Sequence, residues 1–147
     1  MLIQKEIIIN ADIKDVWEIF YDLERWPEWS SYIIETKWIT KGKWEKGCKF
    51  IQVVKGFGII KKFQSKSIIK EVKPYNTVTW YGTRKWIMGT HTFKFQKIKN
   101  KTKVKNFEYF SGFAAPLLFP FFKNNFNLYF KQFLYGLKKE SEKTNEN

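Results

Sequence analysis

The stretch INADIKDVWEIFYDLERWPEW, residues 9–29, is the most specific part of this sequence. Either Asn10 or Asp12 can cap a helix here, because a side-chain oxygen can accept a hydrogen bond from a free backbone N–H group of the first turn. The segment DLERWPEW predicts a second short helix or turn, since Pro27 is suited to a first helical turn. Four apolar side chains recur at helical spacing and predict the first short helix over residues 12–20: Ile13, Val16, Trp17 and Phe20.

Outward from this stretch, the chain reads as strands separated by turns. An Ile-rich run at Leu2–Ile9 predicts strand 1. Six further β-like runs follow the two short helices, centred near Thr36, Ile51, Ser65, Thr79, Phe93 and Phe107. Consecutive strands joined by short loops form an antiparallel meander rather than parallel strands with helical crossovers.

The period of the apolar residues changes after Gly112 from that of a strand to that of a helix. Pro116 and Pro120 lie near the expected helix start, where proline is tolerated best. One apolar stripe then predicts a helix about twenty residues long: Leu118, Phe122, Phe126, Tyr129, Phe133 and Leu137. The expected fold class is therefore α+β, with a curved antiparallel sheet of about seven strands wrapped around a long C-terminal helix and two short helices after strand 1.

The length of 147 residues fits one domain, which we place at residues 1–140, with a flexible tail at 141–147. Cys48 is the only cysteine, so no disulfide is possible within the chain. The N-terminus does not match a signal peptide, and no segment is long and apolar enough for a membrane span. The expected location is the cytoplasm.

The aromatic content is high, since 20% of the residues are Phe, Trp or Tyr. Such a composition fits two arrangements. The rings can fill an ordinary core, or some of them can line a cavity, because ligand pockets are mostly apolar and aromatic.

The net charge is +13, from 27 Lys+Arg against 14 Asp+Glu. Such an excess favours anionic partners, or it reflects a merely solvated basic surface. Six lysines fall between Lys94 and Lys105, on the solvent face and tip of one predicted hairpin. We expect them to make weak contact with an anionic membrane surface, screened within about 8 Å at physiological salt. Nucleic acid is not expected as a partner, because no RNA- or DNA-binding motif accompanies the charge.

Several kinds of site are excluded by the residues present. One histidine and one cysteine cannot form a zinc finger or a His-rich metal site. The sequence has no HExxH, no P-loop and no GxGxxG motif. We therefore assign no metal ligand, no cofactor and no catalytic residue.

The only histidine, His91, lies in the run GTHTFKF, and the next run is TKVKNFEYF. Strand alternation puts His91 and Phe93 on one face and Asn106 and Glu108 on one face of the following strand. These two faces must join, because the alternative joins the phenylalanines to lysines. A turn near residues 99 and 100 then sets Phe93 opposite Asn106 and His91 opposite Glu108, whereas a shift of two residues would set His91 near Asn106 or Phe110 instead. The pair can be a structural one, can fix a ligand carbonyl or hydroxyl, or can act as acid and base.

The same reasoning applies one hairpin earlier. With the turn near Thr83 and Arg84, Trp80 joins Ile87 and Gly89 on the His91 face. Trp80 is therefore either a cavity wall or an ordinary core tryptophan.

Four segments in this order resemble the START-like (SRPBCC) superfamily, and within it the polyketide cyclase/dehydrase and lipid-transport branch. They are residues 9–29, GTHTFKF at 89–95, TKVKNFEYFSG at 102–112 and the closing amphipathic helix. The resemblance covers nearly the whole chain. It implies a helix-grip fold with a deep cavity between the sheet and the last helix, and apolar ligands such as lipids, sterols or polyketides. It does not fix an activity, because the superfamily includes transporters, cyclases and hydrolases.

The expected ligand-binding side chains lie on the cavity-facing sides of these elements: Trp29, Trp80, His91, Phe93, Asn106, Glu108, Leu118, Phe122, Phe126 and Tyr129. The aromatic members should converge on one pocket of at least about 300 Å³. Three functions remain open. The first is a binding protein or carrier for an apolar small molecule, without enzymatic activity. The second is a cofactor-free cyclase or dehydratase, and the third is a basic module that binds anionic membrane or nucleic acid.

Overall fold

A computed structural model describes residues 1–84 and 86–143 of the chain. A seven-stranded antiparallel sheet curves around a long C-terminal helix, as the sequence predicts. The strands occur in the spatial order β1-β7-β6-β5-β4-β3-β2, so β2 to β7 form the expected meander and β1 joins it beside β7. The strand bounds are β1 (Leu2–Ile9), β2 (Ile33–Trp38), β3 (Lys49–Lys55), β4 (Lys62–Lys73), β5 (Thr77–Arg84), β6 (Ile87–Ile98) and β7 (Lys101–Ser111).

Two short helices follow β1, also as predicted: α1 (Ile13–Tyr21) and, after a single 3-10 turn, α2 (Trp26–Trp29). Asp12 caps α1, and its carboxylate accepts a hydrogen bond from the backbone N–H of Lys14 at 3.0 Å. The indole of Trp26 donates to the carbonyl of Phe20 at 2.7 Å, which ties α2 to the end of α1. Both bonds join residues that are close in the sequence, so residues 9–29 are enough to predict the two short helices.

The C-terminal helix α3 (Ala115–Lys143) has 29 residues, more than the twenty or so that the apolar stripe predicts. It includes three residues of the expected tail. Ser141 is buried, and the carboxylate of Glu142 accepts a hydrogen bond from the backbone N–H of Asn10 at 2.8 Å. The rest of that tail, residues 144–147, lies outside the described residues.

The core lies between the concave face of the sheet and the helices α1, α2 and α3. Phe20 of α1 contacts Phe93 of β6 at 4.9 Å between ring centroids. Phe133 of α3 contacts the same Phe93 at 5.2 Å and Trp26 of α2 at 5.1 Å. One continuous aromatic layer therefore joins the sheet to all three helices. Among the described residues, none of the helices combines the length and the apolar character that a membrane span needs.

Candidate functional site

The β6–β7 hairpin has the register that the sequence predicts. Phe93 lies opposite Asn106, and His91 lies opposite Glu108. His91, Asn106 and Glu108 all reach the concave side, where α3 covers them. The argument from sidedness is therefore confirmed for this hairpin.

The β5–β6 hairpin is paired differently from the expectation. Residues Thr83 and Arg84 belong to β5, and Trp80 lies opposite His91 rather than opposite Ile87. The expected turn is two residues too early. Alternation fixes which faces of the two strands join, but a shift of the turn by two residues keeps the same faces together, so it does not fix the pairing. Trp80 still lies on the His91 face, and its ring centroid is 4.7 Å from that of His91.

His91, Asn106 and Glu108 form one polar group inside an apolar interior. His91 Nε2 donates to Asn106 Oδ1 at 2.5 Å, with the amide oriented so that its oxygen faces the ring. His91 Nδ1 is 3.6 Å from Glu108 Oε2, which is longer than a hydrogen bond. Asn106 is fully buried, and its Nδ2 has no hydrogen-bond partner among the described residues. Buried N–H groups in proteins usually have a hydrogen-bond partner, and an ordered water or a ligand oxygen would each satisfy this one.

Gly89 makes room for the carboxyl group of Glu108. A Cβ atom at Gly89 would lie 2.2 Å from Glu108 Oε1. Sequence reasoning places Gly89 on this face but misses its role, because alternation does not reveal which way the longer side chain bends. Gly89 is therefore a positioning residue for the polar group.

Burial controls the charge of this group. Desolvation lowers the pKa of His91 from 6.5 to about 4, and the hydrogen bond that His91 donates to Asn106 opposes that shift only in part. Desolvation also raises the pKa of Glu108 from 4.5 to about 8. Burial therefore favours the neutral form of both the imidazole and the carboxylic acid near pH 7. Glu108 can donate a proton or a hydrogen bond, and His91 Nδ1 can accept one.

Aromatic rings enclose His91 on several sides. Its ring stacks on Phe93 at 5.0 Å and on Phe130 of α3 at 4.9 Å. Phe130 is absent from the residues expected from the sequence. Its spacing of four from Phe126 and three from Phe133 is nevertheless helical, so the same stripe could have revealed it.

A second aromatic cluster lies under the N-terminal half of α3. Phe122 and Phe126 contact Phe110 of β7 at 5.2 and 5.3 Å, and Phe119 contacts it at 5.8 Å. Phe122 and Phe126 are only half-buried. Leu118, which the stripe places with them, is 42% exposed and lies outside the core.

Tyr129 and Trp29 contact residues other than His91, Asn106 and Glu108. Tyr129 stacks on Tyr32 at 4.7 Å, and its hydroxyl donates to the carbonyl of Lys55 at 2.6 Å. Trp29 packs on Phe133 at 4.9 Å, where α3 crosses α2.

The rings expected to line one cavity make contacts in separate groups, Trp80 with Phe93 and Phe126 with both Phe122 and Tyr129. Two concavities lie elsewhere, on the outer side of α1. One, of about 270 Å³, includes Trp29 together with Glu18 and Glu140. The other, of about 510 Å³, includes Trp17 and Tyr75. Neither of these two concavities is lined by Trp80, His91 or Phe126.

Comparison with known proteins places these observations in context. The sequence model of a family described as polyketide cyclase/dehydrase and lipid transport matches residues 2–142. Among curated proteins, no sequence matches this chain.

Solved structures share the fold at low sequence identity. A protein from Thermus thermophilus has a TM-score of 0.79 at 15% identity, over 98% of this chain and 99% of that one. The Zhui aromatase/cyclase from a Streptomyces species has a TM-score of 0.79 at 12% identity, over 97% and 93%. The di-domain ARO/CYC StfQ from the steffimycin biosynthetic pathway has a TM-score of 0.80 at 11% identity, over 99% of this chain and 52% of that one.

Proposed function

The chain belongs to the polyketide cyclase/dehydrase and lipid transport family, and from this premise we propose that it binds an apolar small molecule between the sheet and α3, as a carrier. The ligand has an apolar body and at least one oxygen that accepts a hydrogen bond. The buried thiol of Cys48 is compatible with a reducing compartment, so the carrier in this proposal is cytoplasmic.

The observation that carries the proposal is the unpartnered Nδ2 group of Asn106. Its neighbours on the concave face are the rings of Phe93 and, through His91, Trp80 and Phe130. An apolar environment with one convergent donor is the usual composition of a small-molecule site. A ligand carbonyl or hydroxyl would satisfy the amide and remove the cost of leaving it unpaired.

Entry to this site is proposed to occur by displacement of the N-terminal half of α3. Pro120 lies inside the helix and has no N–H group, so the carbonyl of Pro116 lacks its helical partner. Phe122 and Phe126 are half-buried and touch the sheet mainly through Phe110. Farther along, Phe130, Phe133 and Leu137 are fully packed and would hold α3 in place.

A matched pair of ligands tests the role of Asn106. 1-Acetonaphthalene and 1-ethylnaphthalene have similar size, and only the first has an oxygen. The wild-type protein should prefer the ketone by about tenfold, the value of one hydrogen bond. Asn106→Leu should lose this preference. Asn127→Leu is the matched control. It is the same substitution on the solvent side of α3, where the Asn127 amide donates to the backbone carbonyl of Lys123.

Isothermal titration calorimetry reads the two affinities. Organic extraction of the purified protein followed by mass spectrometry identifies the molecules that it carries. Equal affinities for the ketone and the hydrocarbon in the wild-type protein would remove Asn106 from the proposal. Failure of both ligands to bind, with nothing extracted, would remove the proposal itself.

Neutral Glu108 beside neutral His91 favours a second candidate, a cofactor-free dehydratase or cyclase. Two proteins of similar fold are described as aromatase/cyclases. In a dehydration, His91 Nδ1 would take the proton next to a substrate carbonyl. Glu108 would protonate the departing β-hydroxyl group, which leaves as water while the carbon–carbon double bond forms. Transfer of the proton from His91 to Glu108 would restore both groups.

Glu108→Gln separates the two candidates. The amide keeps the size of the side chain but cannot supply the proton. With a β-hydroxyketone as probe, an enzyme should lose the formation of product and one water while it still binds the probe. A carrier should release the probe unchanged from both the wild-type protein and the variant.

A further inference from the structure

Three chain connections meet at one end of the molecule. The backbone N–H of Ala114, in the connection from β7 to α3, donates to the carbonyl of Trp86, between β5 and β6, at 3.3 Å. The hydroxyl of Tyr129 on α3 contacts the backbone carbonyls of Lys55 and Gly56 at 2.6 and 3.2 Å, which brings in the connection from β3 to β4. These contacts fix the three connections relative to one another.

This end carries large apolar side chains that are almost fully exposed. We call five of them the apolar tip: Ile59 (99% exposed), Phe113 (93%), Phe121 (75%), Leu117 (71%) and Trp86 (70%). Single exposed apolar residues are ordinary, but a cluster of this size marks an interaction surface. The apolar tip includes residues from all three connections and from the first turns of α3.

The charges around the apolar tip have a single sign. The segments 55–70, 79–90 and 109–139 contain none of the chain's 14 acidic residues. Lys61, Lys62 and Lys123 within them are exposed. Six acidic residues fall instead within residues 12–28, in and around α1 and α2.

The lysine-rich hairpin, which the sequence favours for anionic contact, lies at the opposite end of the sheet. The turn between β6 and β7 is there, and two of its lysines already face carboxylates. Lys97 lies 2.8 Å from Asp12, and Lys103 lies 3.1 Å from Glu6. The lysines around the apolar tip, in contrast, have no carboxylate within the segments 55–70, 79–90 and 109–139.

We propose that the apolar tip docks on an anionic lipid bilayer. Its apolar side chains enter the interface while the flanking lysines meet the head groups, the combination that holds peripheral proteins on membranes. A second copy of the chain fits the surface poorly, because it would bring two basic ends of a +13 protein together. The proposal does not rest on the ligand site, since it needs only the outer surface of this end.

Vesicle co-sedimentation tests the docking. The probe is phosphatidylcholine vesicles with about a quarter phosphatidylserine, compared with pure phosphatidylcholine. The wild-type protein should bind the anionic vesicles and release them as salt is raised. Phe113→Ser combined with Phe121→Ser should weaken binding at least tenfold, roughly the effect of withdrawing two exposed phenyl rings from lipid.

Two control variants isolate the apolar tip. Ile39→Ser combined with Tyr75→Ser removes apolar side chains of 45% and 44% exposure elsewhere, and should bind as the wild type does. Lys99→Glu combined with Lys101→Glu alters the opposite lysine hairpin, and should weaken binding much less than Lys61→Glu combined with Lys62→Glu. Thermal melts should show that all variants remain folded at the temperature of the vesicle assay, because none of the altered side chains belongs to the buried core.

Three results would overturn the proposal. The first is equal vesicle binding by the wild type and the Phe113/Phe121 variant. The second is loss of binding only when the lysine hairpin is altered. The third is a wild-type dimer in light scattering without vesicles that the Phe113/Phe121 variant abolishes, which would assign the apolar tip to a second copy.

Discussion

The charge state of the buried polar group predicts how stability changes with pH, and Glu108→Gln is the perturbation that exposes it. The carboxyl group of Glu108 retains 14% exposure and lies 3.6 Å from His91. Its pKa is raised to about 8 by burial, and that of His91 is lowered to about 4. Over a certain pH range, each group therefore binds a different number of protons in the folded chain than in the unfolded chain.

The two windows overlap with opposite signs. Between pH 4 and 6.5 the unfolded chain binds a proton at His91 that the folded chain does not, so stability rises with pH. Between pH 4.5 and 8 the folded chain keeps a proton on Glu108 that the unfolded chain releases, so stability falls as pH rises. The slopes are equal, about 1.36 kcal/mol per pH unit, so they cancel between pH 4.5 and 6.5.

The net result is a loss of stability at mildly alkaline pH. From pH 6.5 to 8 the wild type should lose up to about 2 kcal/mol, the product of 1.5 pH units and the slope. Glu108→Gln should lose none over this range, because glutamine does not titrate. Glu35→Gln, which removes an exposed carboxylate paired with Lys37, is the matched control and should keep the wild-type slope.

Urea unfolding followed by tryptophan fluorescence measures these free energies at a series of pH values. The histidine is the only one in the chain, so ¹⁵N NMR then locates the proton without ambiguity. We expect a neutral ring with the proton on Nε2 at pH 7. A wild-type stability that stays constant from pH 6.5 to 8, or a doubly protonated ring at pH 7, would refute the assignment of a neutral pair.

Three further predictions concern the same interior. His91→Leu should cost about 1–3 kcal/mol of unfolding free energy, because it leaves Asn106 Oδ1 without its donor, and His91→Leu combined with Asn106→Leu should recover much of it, whereas additive effects would mean that the two side chains do not interact. Gly89→Ala should destabilise the protein by about 1–3 kcal/mol, because the new methyl group meets the Glu108 carboxyl, and the loss should vanish in a Glu108→Ala background. Phe130→Ala should cost about 3–5 kcal/mol in a thermal or urea melt and Leu118→Ser less than about 1 kcal/mol, because only Phe130 is buried; similar costs would contradict the placement of α3.

The sequence predicts the fold well because its signals are local. The capping carboxylate of Asp12 and the Trp26 indole act within a few residues. For the β6–β7 hairpin, sidedness fixes which faces join, since lysines cannot share a face with buried phenylalanines, and the turn near residues 99 and 100 fixes the register. For β5 and β6 the same rule leaves shifts of two residues undecided, and Gly82 favours a turn where the strand in fact continues to Arg84.

The interior of the candidate site is harder to predict, because alternation and helical spacing give a face but no volume. A ring that lines a cavity and a ring that fills a core produce the same pattern. Phe93 and Phe126 lie on the expected faces, and their spacing in the sequence is the same for either arrangement. Leu118 continues the stripe, but the sheet does not cover the first turns of α3, so it is exposed.

The central claim is that an apolar ligand reaches the polar group between the sheet and α3, and the lone histidine offers the most direct test. With ¹³C- and ¹⁵N-labelled histidine, the ring signals of His91 can be followed as 1-acetonaphthalene, or the molecule extracted from the purified protein, is added. We predict a saturable shift of these signals at one ligand per chain, while the protein remains folded. Ligand that binds without moving the His91 signals, or no saturable binding of either compound, would contradict the account.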